Sequence, residues 1–230
     1  RTDGVAFTGG TDTARLIRRA MSENLAPGAP LVAETGGLNA MIVDSTALPE
    51  QAVADIVESA FQSAGQRCSA LRCLYVQEDI APEFTKMLTG AMDALAMGDP
   101  WALSTDVGPV IDEDAHRNIS DYVAAAKEEG RLVHSIPAPP GGHFVAPALI
   151  RVPGIGDLER EVFGPVLHIA TFRAEEIDAV IAAINATGYG LTFGLQTRID
   201  DRVQHVCDRV HAGNIYVNRN QIGAIVGSQP

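Results

Sequence analysis

"NAMIVDSTALPEQAVADIVESAFQSAGQRCSALRCLYVQE", residues 39–78, sets an apolar run, an amphipathic helix and a second apolar run one after another. The first run, Asn39 to Ser45, is short and aliphatic, as a strand buried on both faces requires. Pro49 suits the first turn of the helix, whose Val53, Ile56, Val57, Ala60, Phe61 and Ala64 share one face. Gly65 stops that helix, and a strand resumes at "LRCLYVQE". Strand, covering helix and strand make a βαβ unit, which predicts parallel pairing.

The alternation extends both ways. Upstream, a strand at Val5–Phe7 enters a glycine turn and a helix capped by Thr11 or Asp12, and Leu31–Ala33 is another strand. Downstream, helices are predicted over about Pro82–Met97, Glu113–Glu129, Glu175–Thr187 and Asp200–Val210. Strands are predicted at Arg131–Ile136, in "FVAPALI", through Phe172, in "LTFGLQT" and in "NIYVN". Residues 98–112 form a turn-rich loop. At least five strands with intervening helices imply an α/β fold with a mostly parallel sheet covered by helices.

Composition narrows the function. With 46% hydrophobic residues but only 5% aromatics, the 230-residue chain builds a large core mainly from Ala, Val, Ile and Leu. A formal charge of −12 argues against a nucleic-acid surface, which needs clustered cations, and against a polybasic membrane anchor. No run of eighteen apolar residues spans a membrane. "RTDGVAFTGG" has neither an initiator Met nor the regions of a signal peptide, so it reads as a chain entered mid-fold, an excerpt of a longer cytoplasmic protein. Three cysteines suit a reducing compartment rather than a disulfide framework.

Few residues can do chemistry. Cys68, just past Gly65, lies where a side chain is presented rather than packed. Its own N–H and an amide side chain are candidates to face an oxyanion, and Arg67 or Arg72 would lower its pKa if either pointed inward. The competing reading is a buried thiol; Cys73, within an apolar strand, and Cys207, on a helix face, read as core. "CSALRC" lacks metal-ligand spacing and the six histidines are scattered, so no metal site is expected. Glu34 ends a strand ahead of Thr-Gly-Gly, a position suited to general-base work or to capping a turn. "FTGG", residues 7–10, is a weak phosphate-turn signal, and "EVFGPV", residues 161–166, reads alone as an ordinary loop.

Together, "FTGG", "ETGG", "GQRC" and "EVFGPV" occur in the order and approximate spacing of the aldehyde dehydrogenase superfamily, which the whole chain resembles. More narrowly, "GQRCSALRCLYVQEDIA", "GDPWALSTDVGPVID" and "YVNRNQIGAIVGSQP" are similar to the L-glutamate γ-semialdehyde (Δ1-pyrroline-5-carboxylate) dehydrogenases that bacteria fuse behind a flavin-dependent proline dehydrogenase. The resemblance implies NAD as cofactor and a small aldehyde as substrate. FAD would belong only to the separate flavin half, and the parent would be a homo-oligomer.

By that resemblance, Cys68 attacks the aldehyde to give a thiohemiacetal and then a thioester, and Glu34 activates the hydrolytic water. Glu161 holds the nicotinamide ribose and Phe163 packs near the nicotinamide. Thr8, Gly9 and Gly10 lie along the diphosphate and nicotinamide side, and Thr35 and Gly36 line the nicotinamide pocket. Ser69, Gly223 and Ala224 receive the substrate carboxylate. The implied division is 1–35 for the end of an NAD-binding domain, 36–218 for a catalytic domain and 219–230 for a substrate-anchor loop.

The family's oxyanion asparagine and its adenosine-ribose lysine have no counterpart in these residues. The 230-residue chain alone is therefore expected to be inactive, and NADH formation by it would refute that. A different aldehyde, acyl transfer to coenzyme A and a non-catalytic structural domain are the alternatives. The retained Glu34 favours hydrolysis over thiol transfer, and a Cys68–Cys73 redox pair is disfavoured by the strand placement of Cys73.

Overall fold

The computed structural model describes residues 2–224 and 227–228. The chain divides into two compact units, Arg1–Gly37 and Leu38–Pro230.

In the first unit, β1 (Val5–Thr8) leads through the glycine turn into α1 (Thr11–Asn24), and β2 (Leu31–Glu34) returns beside β1. The two strands pair in parallel from Val5 opposite Leu31 to Thr8 opposite Glu34. The expected Thr11 or Asp12 cap is not used: Gly10 is the N-cap and no side chain caps the helix. Instead, Ala14 N–H donates to the Gly10 carbonyl at 3.1 Å.

The second unit holds one seven-stranded sheet. Its strands are β3 (Asn39–Val43), β4 (Leu71–Gln77), β5 (Leu132–Ser135), β6 (Ala148–Arg151), β7 (Val166–Phe172), β8 (Thr192–Gln196) and β9 (Asn214–Val217), in the order β5-β6-β7-β4-β3-β8-β9. All neighbours are parallel except β5 and β6. The central strands β3 and β4 are buried at every residue, which explains their unbroken apolar sequences.

Side chains alternate between two cores. Met41 and Val43 join Leu74 and Val76 on one face, while Ala40 and Ile42 join Cys73 and Tyr75 on the other. The first core is covered by α2 (Pro49–Phe61), α3 (Ala81–Asp93) and α4 (Glu113–Glu128), the second by α5 (Ile177–Ala186) and α6 (Asp200–Cys207). Helix α4 starts cleanly because the Asp112 carboxylate accepts from Ala115 N–H at 2.8 Å.

Three expectations shift. Helix α3 ends at Asp93 rather than Met97, because Ala96 N–H donates to the Asp106 carboxylate and Asp106 N–H donates back to the Ala96 carbonyl. The returning loop thus takes the backbone groups a longer helix would need. Helix α6 ends at Cys207, and that thiol is half-buried rather than in the core. Gly65 does not stop α2 directly: the helix ends at Phe61, and a tight turn carries Ser63, Ala64 and Gly65 through left-handed backbone at φ 56°, 53° and 65°.

Just past the carboxyl end of β3, fully buried Asp44 is a hub. Its carboxylate accepts from Thr46 N–H and Oγ1, each at 2.7 Å, from Thr197 Oγ1, and from Arg202 Nη1 at 3.0 Å. Among the described residues, no helix is long and apolar enough to cross a membrane.

Candidate active site

In the first unit the two glycine motifs meet. Thr8 and Glu34 are opposite each other at the carboxyl ends of β1 and β2, and Gly9 N–H donates to the Glu34 carbonyl at 3.0 Å. Thr8, Gly9, Gly10 and Glu34 are exposed, and Gly36 turns the chain at φ 103°. This is the strand-end location that open α/β sheets use for ligands.

The second unit reverses that rule. Its candidate residues lie at the amino ends of the parallel strands: Asn39 opens β3, Cys68 stands three residues before β4, Gly164 two before β7, and Thr192 opens β8. The left-handed turn after α2 brings Gly65 against Gly164 so closely that a Cβ on Gly65 would sit 2.2 Å from the Gly164 carbonyl oxygen. Gly164 is itself backed by Ile119, 2.5 Å from where its own Cβ would be. Two glycines therefore join "GQRC" to "EVFGPV" at the backbone.

Cys68 is exposed on a turn closed by Ala70 N–H donating to the Arg67 carbonyl at 3.1 Å. The turn is held by its carbonyls. Asn39 Nδ2 donates to the carbonyls of Cys68 at 2.7 Å and Ala70 at 2.8 Å, while Asn39 Oδ1 accepts from Thr192 N–H at 3.2 Å. Thr192 Oγ1 and Gln221 Nε2 both donate to the Ser69 carbonyl, at 3.2 and 3.3 Å. Asn39, Thr192 and Gln221 are buried. In a trans peptide the N–H points opposite the preceding carbonyl, so anchoring the Arg67 and Cys68 carbonyls turns the Cys68 and Ser69 N–H groups the other way. Among the described residues, neither N–H meets an acceptor. These are free donors beside a thiol, a suitable place for a carbonyl oxygen gaining charge.

Of the two arginines, Arg72 points inward and Arg67 outward, where its Nε donates to Ser63 Oγ. Arg72 is fully buried: its Nε and Nη2 donate to Glu161 Oε1 at 3.0 and 2.8 Å, Nη1 donates to the Gly164 carbonyl at 3.0 Å, and Nη2 also donates to the Arg67 carbonyl at 3.2 Å. Its guanidinium lies 5.4 Å from the centre of the Phe163 ring. Burial lowers the Arg72 pKa from its ordinary value, opposed by the Glu161 carboxylate and by Cys68. Phe163 is 45% exposed, and with Glu161 it borders a cavity of about 440 Å³ that Gln66, Ile111, Tyr122 and Arg160 also line. The Gln66 amide does not face the thiol: its Oε1 accepts from Ile111 N–H at 2.9 Å, docking the 98–112 loop.

Thus Cys68, Ser69, Glu161 and Phe163 come together in the second unit, and Thr8, Gly9, Gly10, Glu34, Thr35 and Gly36 in the first. Gly223, at φ 80°, and Ala224 are exposed two and three residues after Gln221, so the amide of Gln221 ties this segment to the Cys68 turn. Residues 225, 226, 229 and 230 of the expected 219–230 loop lie outside the described residues. Cys73 is buried in β4, where loss of solvent pushes its thiol pKa far up, and it faces the second core rather than Cys68. Among the described residues there is no cluster of metal-ligating side chains.

The roles of Asn39, Thr192, Gln221 and His168 escape a motif search. For Asn39, Thr192 and His168 the available signal was a polar residue within an apolar strand; Gln221, beyond β9, carries none. Buried His168 shows the signal plainly, with Nδ1 donating to the Arg72 carbonyl at 2.9 Å and Nε2 accepting from Tyr122 Oη at 2.8 Å.

Comparison with known proteins adds what geometry cannot. The model of the "Aldehyde dehydrogenase family" matches residues 1–230. The chain is 49% identical, over its whole length, to the bifunctional protein PutA of Escherichia coli K12, of which it covers 18%. A crystal structure of a bifunctional proline utilization A protein superposes with a TM-score of 0.95 at 54% identity, covering 99% of this chain and 23% of that one. A 1-pyrroline-5-carboxylate dehydrogenase from Thermus, solved with bound NAD, superposes with a TM-score of 0.87 at 32% identity, covering 98% and 44%. The chain therefore spans about a fifth of the PutA relatives and less than half of the dehydrogenase.

Proposed function

The chain belongs to the aldehyde dehydrogenase family, and we propose that it is the nucleophile-bearing segment of a longer NAD-dependent enzyme that oxidises L-glutamate γ-semialdehyde to glutamate. The observation that carries this reading is the exposed Cys68 on a turn whose carbonyls are anchored and whose N–H groups are free, beside a carboxylate held by buried Arg72. The substrate class draws its support from the names of the relatives, PutA and 1-pyrroline-5-carboxylate dehydrogenase.

In this reading the Cys68 thiolate adds to the aldehyde carbon, and the Cys68 N–H receives the resulting alkoxide. Gly223 and Ala224 N–H groups, with Ser69, hold the distal carboxylate of the substrate. Glu34 takes the proton of the water that hydrolyses the thioester, freeing glutamate and the Cys68 thiol. The fit to a dinucleotide rests on Glu161 and Phe163, an anchored carboxylate and a half-exposed ring that open on one cavity. Glu161 would hold the ribose and Phe163 the nicotinamide, with Thr8, Gly9, Gly10, Thr35 and Gly36 along the remainder. NAD, when bound, supplies the hydride acceptor.

The test uses the full-length protein that contains this segment, with glutamate semialdehyde and NAD. Steady NADH formation is expected, with none after Cys68→Ala. Glu34→Gln should give one equivalent of NADH and then stall at the thioester. Turnover by the Cys68→Ala protein at the unmodified rate would end the proposal.

A further inference from the structure

Arg72 is a buried cation at the second position of an apolar strand, and its placement is a built feature. Asn39 pairs with Leu71 and Ala40 with Cys73, so Arg72 is the extra residue of a β-bulge. Such a bulge re-aims one side chain out of the alternation of its strand. Here the Arg72 carbonyl accepts from His168 Nδ1, which Tyr122 braces from the other nitrogen, and the guanidinium turns toward the amino ends of the strands. Each nitrogen of that guanidinium has an acceptor, and the acceptors belong to two different loops: Glu161 and the Gly164 carbonyl in one, the Arg67 carbonyl in the other.

We propose that Arg72 is a positioning residue serving two parts of the reaction centre at once. It orients the Glu161 carboxylate toward the cofactor, and through the Arg67 carbonyl it sets the peptide plane that aims the Cys68 N–H at the reacting carbonyl oxygen. The inference deepens the function proposed above and rests on it. A buried ion pair kept only to join two loops is no stronger than well-packed apolar residues. Only a planar fork reaches a carboxylate and two carbonyls in fixed directions. No helix does this work instead, because α2 runs toward Cys68 with its carboxyl, negative end leading.

The two roles separate experimentally in the full-length protein. Acylation of Cys68 by p-nitrophenyl acetate needs the thiol and its N–H but no cofactor, whereas the NAD dissociation constant, read by fluorescence quenching, reports on Glu161. Arg72→Met should slow acylation about tenfold or more and weaken NAD about tenfold. Arg72→Lys keeps the charge near Glu161 but cannot also span to the Arg67 carbonyl. It should hold NAD within about threefold while acylating as slowly as the Met variant. Thiol titration and thermal melting establish folding, and the Lys variant is the arm to read if the Met variant does not fold. Acylation at the unmodified rate in either folded variant, or unchanged NAD affinity in the folded Met variant, overturns the proposal. Failure of the unmodified protein to oxidise glutamate semialdehyde would instead refute the functional reading, and the ester reaction would still report on Arg72.

Discussion

Adding one methyl group at Gly65 tests how the site is held together. Two costs are readable from the structure. Gly65 sits at φ 65°, where a side chain costs about 1–2 kcal/mol. Its Cβ would also lie 2.2 Å from the Gly164 oxygen, 2.6 Å from the Gly164 carbon and 2.8 Å from the Ala60 oxygen, all backbone atoms. An ordinary carbon–oxygen contact is roughly 3.3 Å or more, so the two loops must part by about 1 Å. The Ile119 side chain packed against Gly164 resists its retreat. Overpacking of this kind adds about 1–3 kcal/mol, giving roughly 3 kcal/mol in all. Gly130 is the control: its φ is 71°, but nothing lies within 4 Å of an added Cβ, so Gly130→Ala should cost only about 1–2 kcal/mol. Displacing the Cys68 turn by about 1 Å should also slow acylation of Cys68 by up to about a hundredfold in Gly65→Ala, and not in Gly130→Ala. Urea denaturation and ester acylation of the full-length variants measure both. Equal destabilisation by the two alanines, or unimpaired acylation in Gly65→Ala, would refute the steric argument.

Three further outcomes are expected. Burial holds the His168 imidazole down at about 4, so it is neutral when folded and protonates near pH 6.5 when unfolded. Its contribution is thus present above pH 6.5 and lost as the pH falls toward 4. Between pH 6.5 and 5 the unmodified protein should lose about 1.5 kcal/mol more stability than His168→Asn, and parallel pH profiles would contradict this. Asp44→Ala removes the acceptor that Arg202, Thr46 and Thr197 share, and denaturation should show a loss of about 3 kcal/mol with Cys68 acylation unchanged. Iodoacetamide should label Cys68 at least about a hundredfold faster than Cys73, because the second thiol is buried and held protonated; peptide mass spectrometry after brief exposure gives the ratio.

Much of this architecture was legible from residue pattern. The aliphatic runs at 39–45 and 71–78 and the Pro49 helix between them specify β3, α2 and β4, because period and turn chemistry agree there. Helix ends were less legible. Nothing local in "LAMGDP" tells that Asp106, ten residues on, will take the Ala96 N–H and end α3. Sequence motifs single out Cys68, Glu34 and Glu161 as candidates. The candidate site was opaque at Asn39, Gln221 and Thr192, because their work is to hold carbonyls that only the folded chain brings within reach. Arg72 stood between: its charge within "LRCLYV" was visible, but its direction depends on a bulge that sequence periodicity does not reveal.

The sheet's amino ends gather the Cys68 turn, while the Asp44 hub ties down the opposite rim. Asn39 and Asp44 are separated by the length of β3, about 16 Å at 3.3 Å per residue. The two rims can therefore be changed independently. A selection for heat tolerance has room to work around Asp44, Thr46, Thr197 and Arg202 away from the Cys68 turn, and under the proposed function a selection for a new aldehyde should accumulate its changes at the other rim. A cross-link, dye or tag belongs on the Asp44 side, where the rigid strand separates it from the thiol it is meant to leave undisturbed.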